Sequence, residues 1–219
     1  MPCDKGGGIQ NVNRRQQDKL IQDMGFTSIE DVDTAVLLEQ MADMRRHIDE
    51  QKRMIRMLKK DALCDALTGL LNRRAFEKEL QRSLSVSKRY ERHSGLLLID
   101  LDNFKAVNDQ MGHTTGDTVL QHVARVLNQN TRANDVVARL GGDEFVIILN
   151  EITSPTAAQQ RAEQMEELIA STPCMSCGTA GTGVNVSASV GWHVIGPDDS
   201  FMDILAKADK MMYSRKASA

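Results

Sequence analysis

Two pairs of acidic residues occupy positions where a carboxylate could do chemistry. Asp100 and Asp102 come at the end of the apolar run Gly95–Leu101, and Asp143 and Glu144 follow two glycines. A carboxylate at the end of a buried strand is costly unless it is paired or binds a cation, and glycines let a ligand approach closely. If the pairs meet, hard oxygens without His or Cys suit Mg²⁺ or Mn²⁺, which support phosphoryl transfer. Turns are also rich in Gly, Asp and Glu, so an ordinary turn stays an equally good interpretation.

The segment between the two acidic pairs carries residue types that could bind a nucleotide. Asn103 and Phe104 open a predicted helix, whose free N–H groups can hold phosphate, and Lys105 would add positive charge. The amide of Asn108 offers a donor and an acceptor to a purine edge, and the carboxylate of Asp117 accepts from N–H groups. Taken singly, each residue is more often an ordinary surface polar group.

The elements that must position these residues form an α+β pattern. In chain order, the sequence predicts a turn at Asp65–Arg74 and a helix to about Tyr90, a buried strand Gly95–Leu101, helices Phe104–Met111 and Thr115–Asn130, a hairpin of strands Val136–Leu140 and Phe145–Leu149, a helix Pro155–Ser171, a strand Gly181–Gly191 and a helix Phe201–Lys216. We therefore expect one antiparallel or mixed sheet with helices packed on it.

A long helix is predicted ahead of this domain, over residues 28–62. Its apolar seam alternates steps of 4 and 3 residues at Leu37, Met41, Met44, Ile48, Gln51, Ile55, Leu58 and Ala62. That period indicates a coiled-coil stalk, and self-association is favoured over packing on the chain's own domain because no Gly or Pro interrupts it. The seam does not fix dimer against tetramer, and its methionines would also suit a regulatory protein.

Composition excludes several classes of protein. With 219 residues, 41% of them apolar, the chain can bury a core and is not fully disordered. Its net charge of −3 argues against a nucleic-acid binder that works by bulk positive charge. We expect a cytoplasmic protein with no membrane segment, divided into a flexible tail or short helix at 1–27, the stalk at 28–62 and a domain at 63–219.

The cysteines do not suggest a disulfide framework. They are Cys3, Cys64, Cys174 and Cys177, in a chain expected to lie in a reducing compartment. The C-x-x-C at Cys174–Cys177 has no second pair to complete a zinc site, so we expect no special role for it.

Several motifs, taken together, resemble those of the GGDEF family of diguanylate cyclases. The motifs occur in the family's order and cover roughly residues 62–219: D-x-L-T-G-L-x-N-R-R at Asp65–Arg74, I-D-L-D-N-F-K-x-x-N-D at Ile99–Asp109, G-H-x-x-G-D at Gly112–Asp117, G-G-D-E-F at Gly141–Phe145, S-V-G at Ser189–Gly191 and A-D-K-M-M-Y-S-R-K at Ala208–Lys216. The resemblance implies a palm-like nucleotidyl cyclase domain. Two GTP molecules, each held by one domain of a dimer, would condense to cyclic di-GMP and two pyrophosphates.

The resemblance also implies roles for single residues. Asp100 and Asp143 match the metal-ligating side chains, with the Leu101 carbonyl nearby; Asp143 matches a proton acceptor for the 3′-hydroxyl, and Glu144 a neighbouring site carboxylate. The residues that match substrate-binding positions are Asn108 and Asp117 for guanine, His113, and, for phosphates, Lys105, Lys216 and the N–H groups of Asn103 and Phe104. A histidine that packs its loop is nearly as good an interpretation of His113.

An inhibitory product site is a further expectation from the resemblance. Arg132 and Asp135 form an R-x-x-D just before the signature, where relatives bind the dimeric product. Many relatives supply a second arginine at the position of Gln164, and here Arg161 lies three residues away. Product inhibition is therefore left open.

Two other classes of function compete with the enzyme. A catalytically silent module that binds GTP or cyclic di-GMP would usually carry a damaged signature, whereas a coiled-coil scaffold would bind no nucleotide. The intact signature favours the cyclase, and we expect a protein that binds the stalk to regulate its activity.

Overall fold

The computed structural model describes residues 19, 34–90, 93–152, 154–177 and 183–216. The chain divides into two compact units, residues 1–58 and 59–219. The predicted tail at 1–27 lies outside the described residues except for residue 19, which is helical. Among the helices of the described ranges, none is long and apolar enough to cross a membrane.

Helix α1 spans Thr34–Leu63, so the long helix predicted from the seam is present over its described part, while residues 28–33 lie outside it. The seam side chains are open to solvent, between 48% and 59% exposed at Met41, Met44, Ile48, Ile55 and Leu58. These side chains form a stripe of exposed apolar surface along the helix.

The second unit is built around an antiparallel sheet. Its strands are β1 (Ser94–Leu101), β2 (Val136–Gly141), β3 (Glu144–Leu149) and β4 (Ala188–Ile195). They lie in the order β2-β3-β1-β4, with every neighbouring pair antiparallel. β1 is central because nearly all its residues are apolar and buried, which suits a strand covered on both faces. The predicted α+β architecture with a mostly antiparallel sheet is confirmed.

Helices cover both faces of this sheet. They are α2 (Arg73–Tyr90), α3 (Phe104–Met111), α4 (His113–Gln129), α5 (Pro155–Ser171) and α6 (Phe201–Lys216). Because side chains alternate along a strand, Leu97 and Ile99 of β1 enter one core cluster with α4 and α5, whereas Leu96 and Leu98 enter another with α2 and α6. The sheet therefore lies between two hydrophobic cores, which leaves the ends of its strands available for a functional site.

The last strand differs from the prediction. The sequence predicts a strand at Gly181–Gly191, but β4 begins at Ala188 and continues to Ile195. The alternating Val184 and Val186 pack into the core without joining the sheet, and Val184 forms an isolated bridge with Cys174 instead. Alternation identified a half-buried segment correctly but could not tell which part pairs with β1.

The cysteines do not suggest a disulfide framework, but the structure contains one disulfide within the described residues. The structure joins Cys174 to Cys177, whose Cα atoms lie 5.4 Å apart. The reason is the turn between them, which is closed by the Cys177 N–H donating to the Cys174 carbonyl at 3.1 Å. Such a turn brings the two side chains within the normal range for a disulfide.

A glycine allows α6 to lie directly on β4. A Cβ atom at Gly191 would lie 2.1 Å from the carbonyl oxygen of Ala208 and 2.7 Å from the backbone nitrogen of Met212. No larger residue fits without moving the helix, because these are backbone atoms. The close approach brings the last turn of α6 towards the end of β1.

The start of α6 is fixed by a largely covered aspartate. Asp199 is 9% exposed; its carboxylate accepts from His193 and the Gly196 N–H at 2.8 Å and from Lys207 at 2.5 Å. Burial alone would raise the pKa of Asp199, but the bonds from Lys207, Gly196 and His193 outweigh it and lower the pKa from 3.8 to about 2. A carboxyl whose pKa is lowered by folding stabilises the fold at a pH above its pKa in the unfolded chain. This stabilisation is lost as the pH falls through its pKa in the folded chain.

We predict that Asp199→Asn destabilises the chain near neutral pH, by up to about 2 kcal/mol since each unit of pKa shift is worth about 1.4 kcal/mol. The deficit should shrink as the pH falls from about 4 towards 2, where the wild-type carboxyl also becomes neutral. Urea unfolding over a pH series measures this difference. Asp198→Asn, at an exposed neighbour, is the control, and a deficit of the same size at pH 3 and pH 7 would contradict the prediction.

Candidate functional site

The two acidic pairs meet at one end of the sheet. Asp100 lies opposite Glu144 in the β1–β3 ladder, and on its other side it lies opposite Ser189 of β4. The Leu101 N–H points to the Asp143 carbonyl at 3.4 Å, which places the signature turn beside the end of β1. The convergence that the sequence predicts is therefore present, since adjacent antiparallel strands bring their ends together.

Negative charge accumulates at this end of the sheet. Burial, and then the nearby carboxylates of Asp100 and Asp143, raise the pKa of Glu144 above its ordinary value. The ammonium of Lys216 lies 2.6 Å from Asp100 and 4.0 Å from Asp102. The negative charge of these carboxylates attracts the Lys216 ammonium, and it would attract a metal ion in the same way.

The donor set for a metal ion is small but of the right kind. Within the described ranges no cluster of three or more metal-ligating side chains is present. The predicted set needs only two, Asp100 and Asp143, together with the backbone carbonyl of Leu101. Oxygen ligands with few protein side chains are typical of Mg²⁺, which keeps waters and shares substrate phosphates. These residues therefore fit Mg²⁺ or Mn²⁺.

Asp102 has a different environment from Asp100. Its carboxylate accepts from the Ser189 hydroxyl at 2.8 Å, and its N–H donates to the carbonyl of Ser187 at 2.9 Å. These bonds attach the loop after β1 to the start of β4. Asp102 therefore fixes the backbone of the loop after β1, which carries the neighbouring candidate site residues.

The nucleotide-binding candidates follow on α3 and α4. Asn103 has φ 54° and precedes α3, whose first residue, Phe104, is buried, and Lys105 is exposed. Asn108 lies against α4: a Cβ atom at Gly116 would be 1.9 Å from its Oδ1. Only a glycine at 116 leaves room for that amide beside Asp117. The candidates for guanine recognition are thereby brought together at the contact of α3 with α4.

His113 is the first residue of α4 and is exposed, as is Asp117 one turn further on. Exposure does not fit the alternative in which His113 packs its loop, because a packing side chain would be covered. His113 is left free to reach a ligand.

An arginine clamp holds the signature turn, and sequence reasoning assigned it no role. Arg139 donates to the Gly142 carbonyl at 2.7 and 3.0 Å and to the carboxylate of Asp65 at 3.0 and 3.2 Å. Burial alone would raise the pKa of Asp65, but bonds from Thr68 and then Arg139 outweigh it and lower the pKa. The signal available in the sequence was an arginine two residues before Gly141 and an acidic residue opening the first motif.

The R-x-x-D residues line a cavity with an arginine from α5. Arg132, Asp135 and Arg161 line a cavity of about 110 Å³ with residues that follow β3. Gln164, at the position where the sequence leaves the second arginine in doubt, accepts from Arg161 at 2.5 Å. Burial, with Arg132 nearby, lowers the pKa of Arg161, and Asp135 opposes that shift. Arg161, which lies one turn before Gln164 on α5, is therefore the second arginine that lines this cavity.

Known proteins share this architecture and these motifs. A family model described as Diguanylate cyclase, GGDEF domain matches residues 62–219. Diguanylate cyclase TpbB of Pseudomonas aeruginosa is 31% identical over 100% of this chain and 50% of its own length. The chain therefore spans about half the length of this curated relative.

Two solved structures cover most of the chain. The coiled coil and GGDEF domain of DgcB from Caulobacter crescentus, in complex with c-di-GMP, is similar at a TM-score of 0.73 and 27% identity, over 84% of this chain and 95% of that one. Diguanylate cyclase SiaD of Pseudomonas aeruginosa, in complex with its activator SiaC, is similar at a TM-score of 0.68 and 27% identity, over 97% of this chain and 78% of that one.

We predict that Arg139→Gln destabilises the domain by about 1–3 kcal/mol, because the Gly142 carbonyl and the Asp65 carboxylate lose a half-buried charged donor. Chemical unfolding of the full chain measures the change. Arg73→Gln is the matched control: Arg73 pairs with Glu77 on the surface at 3.3 Å, and such pairs contribute about 0–1 kcal/mol. Equal losses of stability in the two variants would show that the contacts of Arg139 contribute no more than a surface ion pair.

Proposed function

Because the chain belongs to the GGDEF-domain family of diguanylate cyclases, we propose that it condenses two GTP molecules into cyclic di-GMP and two pyrophosphates. In each step, a 3′-hydroxyl of one GTP attacks the α-phosphorus of the other, the new phosphodiester bond forms, and pyrophosphate leaves. The observation that carries this proposal is the meeting of Asp100 and the intact signature Gly141–Phe145 at one end of the sheet.

The acidic end of the sheet would supply the metal site and the proton acceptor. Asp100, Asp143 and the Leu101 carbonyl would hold Mg²⁺ or Mn²⁺, and a bound ion would stabilise the charge that develops on the leaving pyrophosphate. Asp143 is our candidate to accept the proton of the attacking 3′-hydroxyl. Glu144 is a second candidate, because its raised pKa makes it a better proton acceptor than an exposed glutamate.

The neighbouring elements would select the nucleotide. Asn108 and Asp117 would read the guanine edge, with Gly116 leaving room for the amide, and His113 lies free beside them. For the phosphates, the candidates are Lys105, Lys216 and the N–H groups of Asn103 and Phe104. In the structure Lys216 pairs with Asp100, so it would exchange that partner for a phosphate when substrate binds.

A homodimer or higher homo-oligomer would complete the reaction, because each domain holds one GTP and two must face each other. The exposed seam of α1 supports association through the stalk. Joining two domains in this way raises the effective concentration of one at the other. We further propose that a regulatory protein sets activity through the stalk. SiaD, which is similar over 97% of this chain, is in complex with its activator SiaC.

Product inhibition is the remaining part of the proposal. Arg132, Asp135 and Arg161 line one cavity, so the two arginines could contact the phosphates and guanines of cyclic di-GMP. The reaction would take place in the cytoplasm, where GTP is available.

We predict that the full chain with Mg²⁺ and GTP produces cyclic di-GMP and pyrophosphate, and that Asp143→Ala reduces turnover by roughly a thousandfold or more, since the metal site supplies several kcal/mol to the transition state. Product is measured by chromatography, and unfolding confirms that the variant folds. Asp198→Ala is the control. A wild-type chain that binds GTP without making product would be a silent binding module, and full activity of Asp143→Ala would show the assignment to be wrong.

We also predict that replacing Ile48 and Ile55 of the seam by Gln weakens self-association by at least about tenfold, because burial of each isoleucine contributes on the order of 1–2 kcal/mol. Activity per chain should then fall at low protein concentration and recover at high concentration. Light scattering and turnover over a dilution series test this. The control is Glu50→Gln with Arg53→Gln, on the charged faces of the same helix. If the seam variant and this control lost activity equally on dilution, the seam would have no role in association.

A further inference from the structure

A glutamate on α5 makes contacts to both elements that border the acidic end of the sheet. Glu166 accepts from the Val190 N–H of the edge strand β4 at 2.8 Å through one oxygen. Its other oxygen lies 2.6 Å from the guanidinium of Arg215 in the last turn of α6. Its side chain is 24% exposed and that of Arg215 is 32% exposed, so the pair is screened only in part.

Two ionic contacts hold the last turn of α6 from different sides. Arg215 pairs with Glu166 of α5, whereas the next residue, Lys216, pairs with Asp100 of β1 at 2.6 Å. The close packing on Gly191 lies further back, at Ala208 and Met212. Because the last carbonyls of a helix have no partner within it, a final turn opens easily unless side chains hold it.

The two contacts differ in what happens when substrate binds. Lys216 must leave Asp100 if it is to reach a phosphate, whereas nothing in that exchange disturbs Arg215. The pair with Glu166 would therefore keep the end of α6 in place while Lys216 changed partner. The same carboxylate is fixed to β4 next to Ser189, which donates to Asp102.

We propose that Glu166 is a positioning residue for the phosphate side of the site, acting through Arg215 to hold Lys216 where it meets the triphosphate. This inference rests on the proposed function. It gives a role to a glutamate that lies 49 residues from its ionic partner and belongs to none of the sequence motifs.

The test compares Glu166→Gln with Glu167→Gln in the full chain. Gln at 166 still accepts from Val190 but no longer carries the charge that holds Arg215, and Glu167 is an exposed neighbour on the same helix. The ligands are α,β-methylene-GTP, which cannot release pyrophosphate, and GMP, which lacks the outer phosphates. Binding is measured by calorimetry with Mg²⁺.

Glu166→Gln should weaken the GTP analogue by about three- to tenfold, which is less than the loss of a direct charge-assisted bond because Glu166 acts through Arg215, and GMP by less than about twofold. Arg215→Gln should show the same selective loss, and the double variant should lose no more than either single one, since both remove the same contact. Hydrogen exchange of the amides of residues 213–216 should quicken in both variants.

Equal losses for the GTP analogue and GMP, or additive losses in the double variant, would overturn the proposal, because a general weakening of the fold would do the same. Unchanged binding in Glu166→Gln would also overturn it. The outcome is separate from that of the proposed function: a wild-type chain without cyclase activity in which the selective loss persists would refute the reaction but not the positioning role.

Discussion

The domain depends on holding several carboxylates close together at the end of one sheet. Asp100, Asp102, Asp143 and Glu144 lie on adjacent strands and loops, and like charges at such distances repel. Burial raises the pKa of Glu144, and repulsion from the carboxylates of Asp100 and Asp143 raises it further. The fold tolerates this repulsion because Lys216 and Ser189 satisfy part of the charge and because the core is apolar on both sides of β1. This concentration of negative charge supports the proposal that a cation, and the polyphosphate that a cation carries, bind here.

Two glycines make the arrangement sterically possible. At Gly191 the backbone of α6 lies where a Cβ atom would be, and at Gly116 the amide of Asn108 does. Gly191 lets α6 bring Lys216 to Asp100, and Gly116 leaves room for the amide of Asn108, the side chain proposed to bind guanine. Both belong to motifs in which no single residue announces a packing role. The chemistry and the packing are therefore constrained by the same short segments.

The local parts of this arrangement could be predicted from the sequence. The apolar run before Asp100 and the hairpin around Gly141 are signalled by residues that are neighbours in the chain, and both are where they were expected. The start of β4 was wrong, because Val184 and Val186 alternate like a strand but pack beside Cys174. Local periodicity reports burial, and pairing with β1 depends on register that only the folded sheet defines.

Contacts between distant residues could not be predicted in the same way. Arg139 and Asp65 are 74 residues apart, and Arg161 takes a place at the cavity of Arg132 that the register had given to Gln164. In a helix, residues three apart share a face, so an arginine can move by one turn and still reach the same cavity. A comparison at exact sequence positions therefore finds Gln164 instead of a second arginine, although Arg161 still places a positive charge at the cavity.

The proposed reaction has a requirement that one domain cannot meet alone, and association through the stalk would meet it. One domain offers a single set of carboxylates and a single Asn108 amide, while the proposed joining of two nucleotides would need two such sets facing each other. The exposed seam of α1 supplies apolar surface whose burial favours association. Any protein that bound this seam would compete with or reinforce that association, and the encounter of two loaded domains would change with it. In the proposed reaction, which is divided between two chains, control through the stalk would require no change in the carboxylates themselves.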